Sequence, residues 1–120
     1  MVIENNPIKT DDLKIVIPCC KTYEFVKLKE IVRCEGLQNY CRVYLSSGEV
    51  LTSTKTLGHF KEKLTYQGFA SCHRSHLVNI NLIRRYFKEG SVELVDNSVV
   101  PVSRRMKEKF INSIMDNLIY

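Results

Sequence analysis

Between Phe69 and Ile80 the chain reads FASCHRSHLVNI, and Cys72, His73, Arg74, Ser75 and His76 follow one another there without interruption. Three kinds of chemistry use such residues. A thiol beside an imidazole makes a nucleophile and its base. Two imidazoles three residues apart suit a metal ion on one face of a helix. Arginine, histidine and serine together suit phosphate oxygens and base edges. Backbone geometry separates these options. The stretch alternates like a strand, in which neighbours point to opposite faces and so do residues three apart. On this reading Cys72 and His73 form no hydrogen-bonded pair, and His73 and His76 diverge. His59 as a distant base has no supporting pattern. The carboxylates are scattered and the five glycines isolated, so neither a carboxylate pair nor a phosphate-cradling loop is evident. The expectation is that the chain is not an enzyme and takes no metal or other cofactor.

The cysteines are Cys19, Cys20, Cys34, Cys41 and Cys72. An odd count without a signal peptide argues against a disulfide framework, and no CxxC or zinc-finger spacing occurs. They read as packed, inert thiols. The longest apolar runs, such as IVIPCC, are too short to span a bilayer, so the chain reads as cytosolic with no membrane partner. With 120 residues, 44% hydrophobic and 26% charged, it suits one globular domain with its own core. A net charge of +5 is compatible with a polyanionic partner.

The elements that must position the polar cluster are short. Residues 1–13 are polar and without periodicity, and read as a linker or tail before a domain over 14–120. LKIVIPCC and YEFVKL are strand-like runs, IVRCE follows, and GLQN reads as a loop. YCRVYLSSGEVLTS is a hairpin in which Cys41, Val43 and Leu45 alternate with Arg42, Tyr44 and Ser46 around an SSG turn. Leu57, Phe60 and Leu64 then mark a short helix, with Thr54 or Thr56 as its cap. After the second β region come IRRYF, SVELVD and SVVPVS as strands, with KEG and DNS as turns. Pro101 confines the last strand to an edge or an end. A terminal helix begins at Ser103 and carries the stripe Phe110, Ile111, Ile114, Met115 and Leu118. The fold expected is mainly β, with a short inserted helix and a C-terminal helix.

Three basic segments fall where strands meet the next element: GLQNYCR (36–42), CHRS (72–75) and VSRRMK (102–107). Short loops on a rigid sheet are where recognition residues sit. Asparagine and arginine suit adenine and guanine edges, while serine, histidine and lysine suit phosphates. The same residues also serve as solvated turns and caps. A different use of the chain is a small β-rich RNA-binding or protein-interaction module, for which Tyr40, Tyr44 and Tyr86 are the candidate stacking surfaces.

These segments in this order resemble the LytTR-type DNA-binding domain, the output module of LytR/AlgR-type bacterial response regulators. The hallmark runs roughly F-x-R-x-H-R-S-x-L-V-N, and Phe69, His73, Arg74, Ser75, Leu77, Val78 and Asn79 match it. Ser71 stands where a basic residue is common. Glu35, Asn39 and Tyr40 match the early hairpin, and Pro101, Val102, Ser103, Arg104 and Arg105 match the end. The likeness covers about residues 14–118. It implies small antiparallel β-sheets with few helices, and binding to specific sequences in duplex DNA by loops entering successive major grooves.

Carried over by position, the resemblance implies DNA contacts from Asn39, Tyr40, Cys41 and Arg42, from His73, Arg74 and Ser75, and from Ser103, Arg104, Arg105 and Lys107. Arg74 and Arg105 are the base readers expected, and Arg104 a phosphate contact. The first loop aligns only to within a residue, so Cys41 or Tyr40 could stand in for Asn39 or Arg42. Arg74 has another reading, an ion pair with Glu35 or a turn cap. Asn79 reads either as a DNA contact or as a partner of local backbone. Some relatives pair two cysteines at the Cys72 position, but the facing SVVPV has none. The resemblance further implies repeated promoter sites, a homodimer on DNA, and a receiver domain or sensor-kinase pathway upstream.

Overall fold

The computed structural model describes residues 12–119, so most of the expected tail lies outside the described residues. Ten strands and two helices follow in order: β1 (Lys14–Pro18), β2 (Tyr23–Lys27), β3 (Ile31–Leu37), β4 (Tyr40–Leu45), β5 (Val50–Ser53), α1 (Leu57–Leu64), β6 (Phe69–His73), β7 (His76–Asn79), β8 (Ile83–Phe87), β9 (Ser91–Leu94), β10 (Val99–Pro101) and α2 (Lys107–Asn117). They form three antiparallel sheets: the β1–β2 ribbon, a five-stranded sheet ordered β5-β4-β3-β7-β6, and a three-stranded sheet ordered β10-β9-β8. The mainly β architecture with an inserted and a terminal helix is as expected.

Period-two patterning explains why the five-stranded sheet sits at the centre. Along β4, Cys41, Val43 and Leu45 are buried, whereas Tyr40 and Arg42 are exposed. The buried set joins Cys34, Leu51, Phe69 and Leu77, and is covered by Leu57, Phe60 and Leu64 of α1 and by Ile17 and Val26 of the ribbon. Val32, Ala70, Cys72 and Val78 belong to a second cluster, with Val92, Leu94 and Val100 of the small sheet and Phe110 of α2. Phe60 and Phe110 anchor the two cores at 0% and 1% exposure. Truncating either to alanine removes about 3–5 kcal/mol of stability.

Close approach fixes where α1 rests. A side chain at Gly36 would meet Leu57 Cβ at 2.9 Å, so only glycine lets α1 lie this near the end of β3. Thr56 occupies the N-cap position of α1 but makes no side-chain cap hydrogen bond. Among the described residues no helix is long and apolar enough to cross a membrane.

Three boundaries depart from expectation. FASCHRSHLVNI forms two strands, β6 and β7, around the turn expected at 72–75, but β6 runs on through His73 and β7 starts at His76, which leaves only Arg74–Ser75 to turn. GLQN is half strand: β3 continues through Leu37, leaving Gln38 and Asn39 as the turn. The terminal helix begins at Lys107 rather than at Ser103. Ser103 Oγ accepts from the Met106 amide at 3.2 Å, so its cap closes a separate turn before the helix proper. Of the expected helix stripe, Phe110 is buried and Ile114 packs at the margin of the core, while Met115 and Leu118 stay exposed.

Candidate functional site

Three chain segments far apart in sequence meet at one end of the five-stranded sheet. The Gly36 amide donates to the Ser75 carbonyl at 2.9 Å, which joins the end of β3 to the β6–β7 turn. The Ser103 amide donates to the Cys72 carbonyl at 2.9 Å, which ties the segment before α2 to the end of β6. These two backbone bonds bring the Gln38–Asn39 turn, the Arg74–Ser75 turn and the Ser103–Lys107 segment to a common surface.

The β6–β7 turn is braced from inside. Its Ser75 amide donates to His73 Nδ1 at 3.1 Å, and Ser75 Oγ lies 3.0 Å from the same nitrogen. His73 thus holds the turn with Nδ1 and leaves only Nε2 for an external partner. Lys61 Nζ reaches the Arg74 carbonyl at 3.4 Å from α1. With its backbone held on both sides, Arg74 projects an exposed guanidinium that has no carboxylate partner among the described residues. The alternative pairing with Glu35 is not among the ion pairs of the described residues, and Glu35 instead accepts from Tyr44 Oη at 2.8 Å.

His73 and His76, read above as diverging, are cross-strand neighbours with ring centroids 5.3 Å apart. The turn between them reverses the chain, which the parity of a single strand does not anticipate. Among the described residues, however, no three His, Cys, Asp or Glu side chains converge as a metal-binding group. His76 lies opposite Glu35 on β3, and burial pushes its imidazole below the usual value. That environment favours the neutral ring.

On the β3–β4 side, Asn39 and Tyr40 are exposed at or beside the turn. Arg42 lies within β4, opposite Glu35 and Thr52, exposed on the open face of the sheet rather than in a loop. Cys41 is a correction. The alternation that exposes Tyr40 and Arg42 turns Cys41 into the core at 0% exposure, so it cannot reach a partner outside. The neighbouring Cys41 thiol, together with burial, raises the Cys34 thiol well above its usual range. Tyr40 and Tyr44 share the open face, but the Arg33 guanidinium lies 3.7 Å over the Tyr44 ring and covers it against stacking.

In the third segment Arg104 and Arg105 are exposed, with Ser103 and Lys107 half-buried beside them. Lys107 Nζ donates to the Lys88 carbonyl at 3.3 Å, and the Val102 amide donates to that of Gly90 at 2.9 Å. These bonds place the β8–β9 turn, with exposed Lys88, against the same surface. Sequence reasoning missed both Lys61 and Lys88. Each reaches the surface only through tertiary contacts, so no local pattern marks it.

Cys72 lies beneath this surface at 0% exposure, packed with Val100 and Val102, and burial pushes its thiol up to about 12. A thiol so rarely ionised is a poor nucleophile. Iodoacetamide added to the native protein near neutral pH is therefore expected to label exposed Cys20 at least about a hundredfold faster than Cys72. Peptide mass spectrometry measures this, and comparable labelling of the two would show a reactive Cys72.

A family model described as the LytTr DNA-binding domain matches residues 21–115. No curated protein sequence matches the chain. Among solved structures, the chain resembles the LytTr DNA-binding domain of a Bacillus cereus protein described as a methyl-accepting/DNA response regulator. The TM-score is 0.74 at 20% identity, over 85% of this chain and 96% of that one.

Proposed function

Because the chain belongs to the LytTr DNA-binding domain family, we propose that it binds specific sequences in duplex DNA through the three segments gathered at one end of its central sheet. The observation that carries this reading is the pair of backbone bonds, Gly36 to Ser75 and Ser103 to Cys72, which make one surface of Asn39, Tyr40, Arg42, Arg74, Arg104, Arg105 and Lys107. A rigid sheet presenting short basic turns suits insertion into successive major grooves. Arg74 and Arg105 read bases, and Arg104 and Lys107 meet phosphates. His73 and Ser75 shape the Arg74 turn, with His73 Nε2 available to phosphate. In this reading the domain is the output module of a cytoplasmic bacterial transcription regulator. Two copies occupy repeated promoter sites, and an upstream receiver domain or sensor-kinase pathway controls them.

Arg74 is the decisive residue. An unpaired guanidinium on a braced turn has the reach and planar fork for the O6 and N7 of guanine. Arg74→Ala is expected to cost about 1–3 kcal/mol on the preferred duplex, with little loss on random duplex, and to relax one base position. Arg74→Lys recovers part of the affinity but less of the discrimination. Since Arg74 has no carboxylate partner among the described residues, its loss leaves the melting temperature within about 2 °C of the parent. Selection of bound sites from random duplexes by parent and variant measures the profile. Equal loss on specific and random DNA would make Arg74 a phosphate contact, and an unchanged profile with lowered melting would make it structural.

A further inference from the structure

The brace inside the Arg74 turn fixes where His73 carries its proton. The Ser75 amide donates to His73 Nδ1 at 3.1 Å, and an N–H is answered there only by a lone pair. Ser75 Oγ lies 3.0 Å from the same nitrogen. For the turn to stand as it does, His73 is neutral, with its single ring proton on Nε2. The arrangement is that of an asparagine or aspartate that accepts from the amide two residues on, with an imidazole nitrogen in place of the oxygen. It differs in one respect. Imidazole takes a second proton in mildly acidic solution, and a carboxamide does not. Once protonated, Nδ1 still has Ser75 Oγ as an acceptor, but it meets the Ser75 amide as donor against donor.

We propose that His73 is a positioning residue whose neutral Nε2–H form holds Arg74 in its base-reading pose, so that discrimination between duplexes is lost as pH falls. This deepens the proposed DNA reading and rests on it. His76 is the cross-strand neighbour of the ring, with centroids 5.3 Å apart. Glu35 and Arg42 continue the same row across β3 and β4, and Glu35 is held by Tyr44 Oη. Lys61 of α1 reaches the Arg74 carbonyl at 3.4 Å, and Arg104 follows the Ser103 amide that bonds Cys72. An imidazolium at His73 has no ion-pair partner among the described residues, so nothing replaces the lost brace. Lys61 still holds the Arg74 carbonyl, so the turn loosens rather than unfolds. Added positive charge favours every duplex, preferred or random. Loss of the brace acts only on the contact that tells them apart. Acid therefore erodes preference while affinity for random DNA holds or rises.

The test begins without DNA. Nitrogen NMR shifts of the imidazole rings at about pH 7.5 should show His73 Nδ1 bare and Nε2 protonated, and the Ser75 amide signal should move as the ring takes its second proton. A proton on Nδ1 at about pH 7.5 would overturn the proposal. Binding is then measured to the duplex the parent selects at about pH 7.5 and to random duplex, and the ratio of the two affinities is followed with pH. Between about pH 7.5 and about pH 5.5 the parent's ratio should fall about tenfold. His73→Asn loses the Nε2 contact and binds both duplexes more weakly. Its ratio should nevertheless stay within about twofold over the same range, because asparagine Oδ1 accepts the Ser75 amide at either pH. His76→Gln should keep the parent's loss. A His73→Asn ratio that falls as the parent's does, or a His76→Gln ratio that no longer falls, would overturn the proposal by moving the titrating group elsewhere. A strong parental preference that ignores pH overturns the proposal alone. No preference at either pH, with His73 in the Nε2–H form, overturns the DNA reading and the proposal with it.

Discussion

Raising monovalent salt from about 50 to about 200 mM is expected to weaken duplex binding by roughly 250- to 1,000-fold. The exposed cations gathered at the end of the sheet set this expectation. Arg42, Arg74, Arg104 and Arg105 are exposed, with Lys61 and Lys107 half-buried among them. None has a carboxylate partner among the described residues, whereas Arg84 and Arg85 are both turned to Glu93 on the far sheet. A surface of free cations meeting four to six phosphates releases a counterion at nearly every contact, which gives a slope of log K against log salt of about −4 to −5. Arg104→Ala should reduce that slope by about one and weaken preferred and random duplexes alike. Lys61→Ala and Lys88→Ala extend the test to residues only the structure brings to the surface. A flat salt response would remove the DNA reading of this surface and leave the basic segments as solvated turns.

Much of the framework was legible because it rests on local periodicity. The alternation through Cys41, Val43 and Leu45 gives strand β4, and Leu57, Phe60 and Leu64 give the buried stripe of α1. The same alternation, applied at Cys41, already argues against that residue as an outward contact. There the resemblance to a family motif pulled one way and strand parity the other, and parity describes the side chain. What was not legible depends on where the chain reverses. The turn at 72–75 was legible, but not that it folds β6 and β7 into a hairpin, and with that pairing His73 and His76 change from divergent to adjacent. The convergence of the three basic segments was legible only through the resemblance. Nothing within 36–42, 72–75 or 102–107 encodes the bonds from Gly36 to Ser75 or from Ser103 to Cys72, which join residues 39 and 31 positions apart by subtraction. Lys61 was hidden for the same reason: on α1 it reads as an ordinary helix lysine, and only the packing of α1 over β3 sets it beside Arg74.

Asn79 carries the other large expectation. It ends β7 at 4% exposure, one of the few polar side chains in the core. Its Nδ2 donates to the Ile31 carbonyl at 2.9 Å and to that of Leu28 at 3.4 Å, while Oδ1 accepts from the Asn81 amide at 3.1 Å. One amide thus closes the turn after β7 and fastens it to the chain entering β3, about 50 residues earlier in sequence. These bonds favour a structural role over a DNA contact, two readings the sequence leaves open. Asn79→Ala leaves buried backbone groups without their partner, and should lower stability by about 2–4 kcal/mol. In a domain of this size that is a fall of roughly 10–15 °C in melting temperature. Asn79→Asp matches the shape but can only accept, so it sets a buried carboxylate against two carbonyls and should do no better than alanine. Duplex affinity, measured well below the melting point of each variant, should stay within about twofold of the parent, because Asn79 lies at the end of β7 away from the Arg74 turn. The opposite result, an unchanged melting temperature with lost affinity, would make Asn79 a contact to DNA and would mean that the carbonyls of Leu28 and Ile31 find other partners.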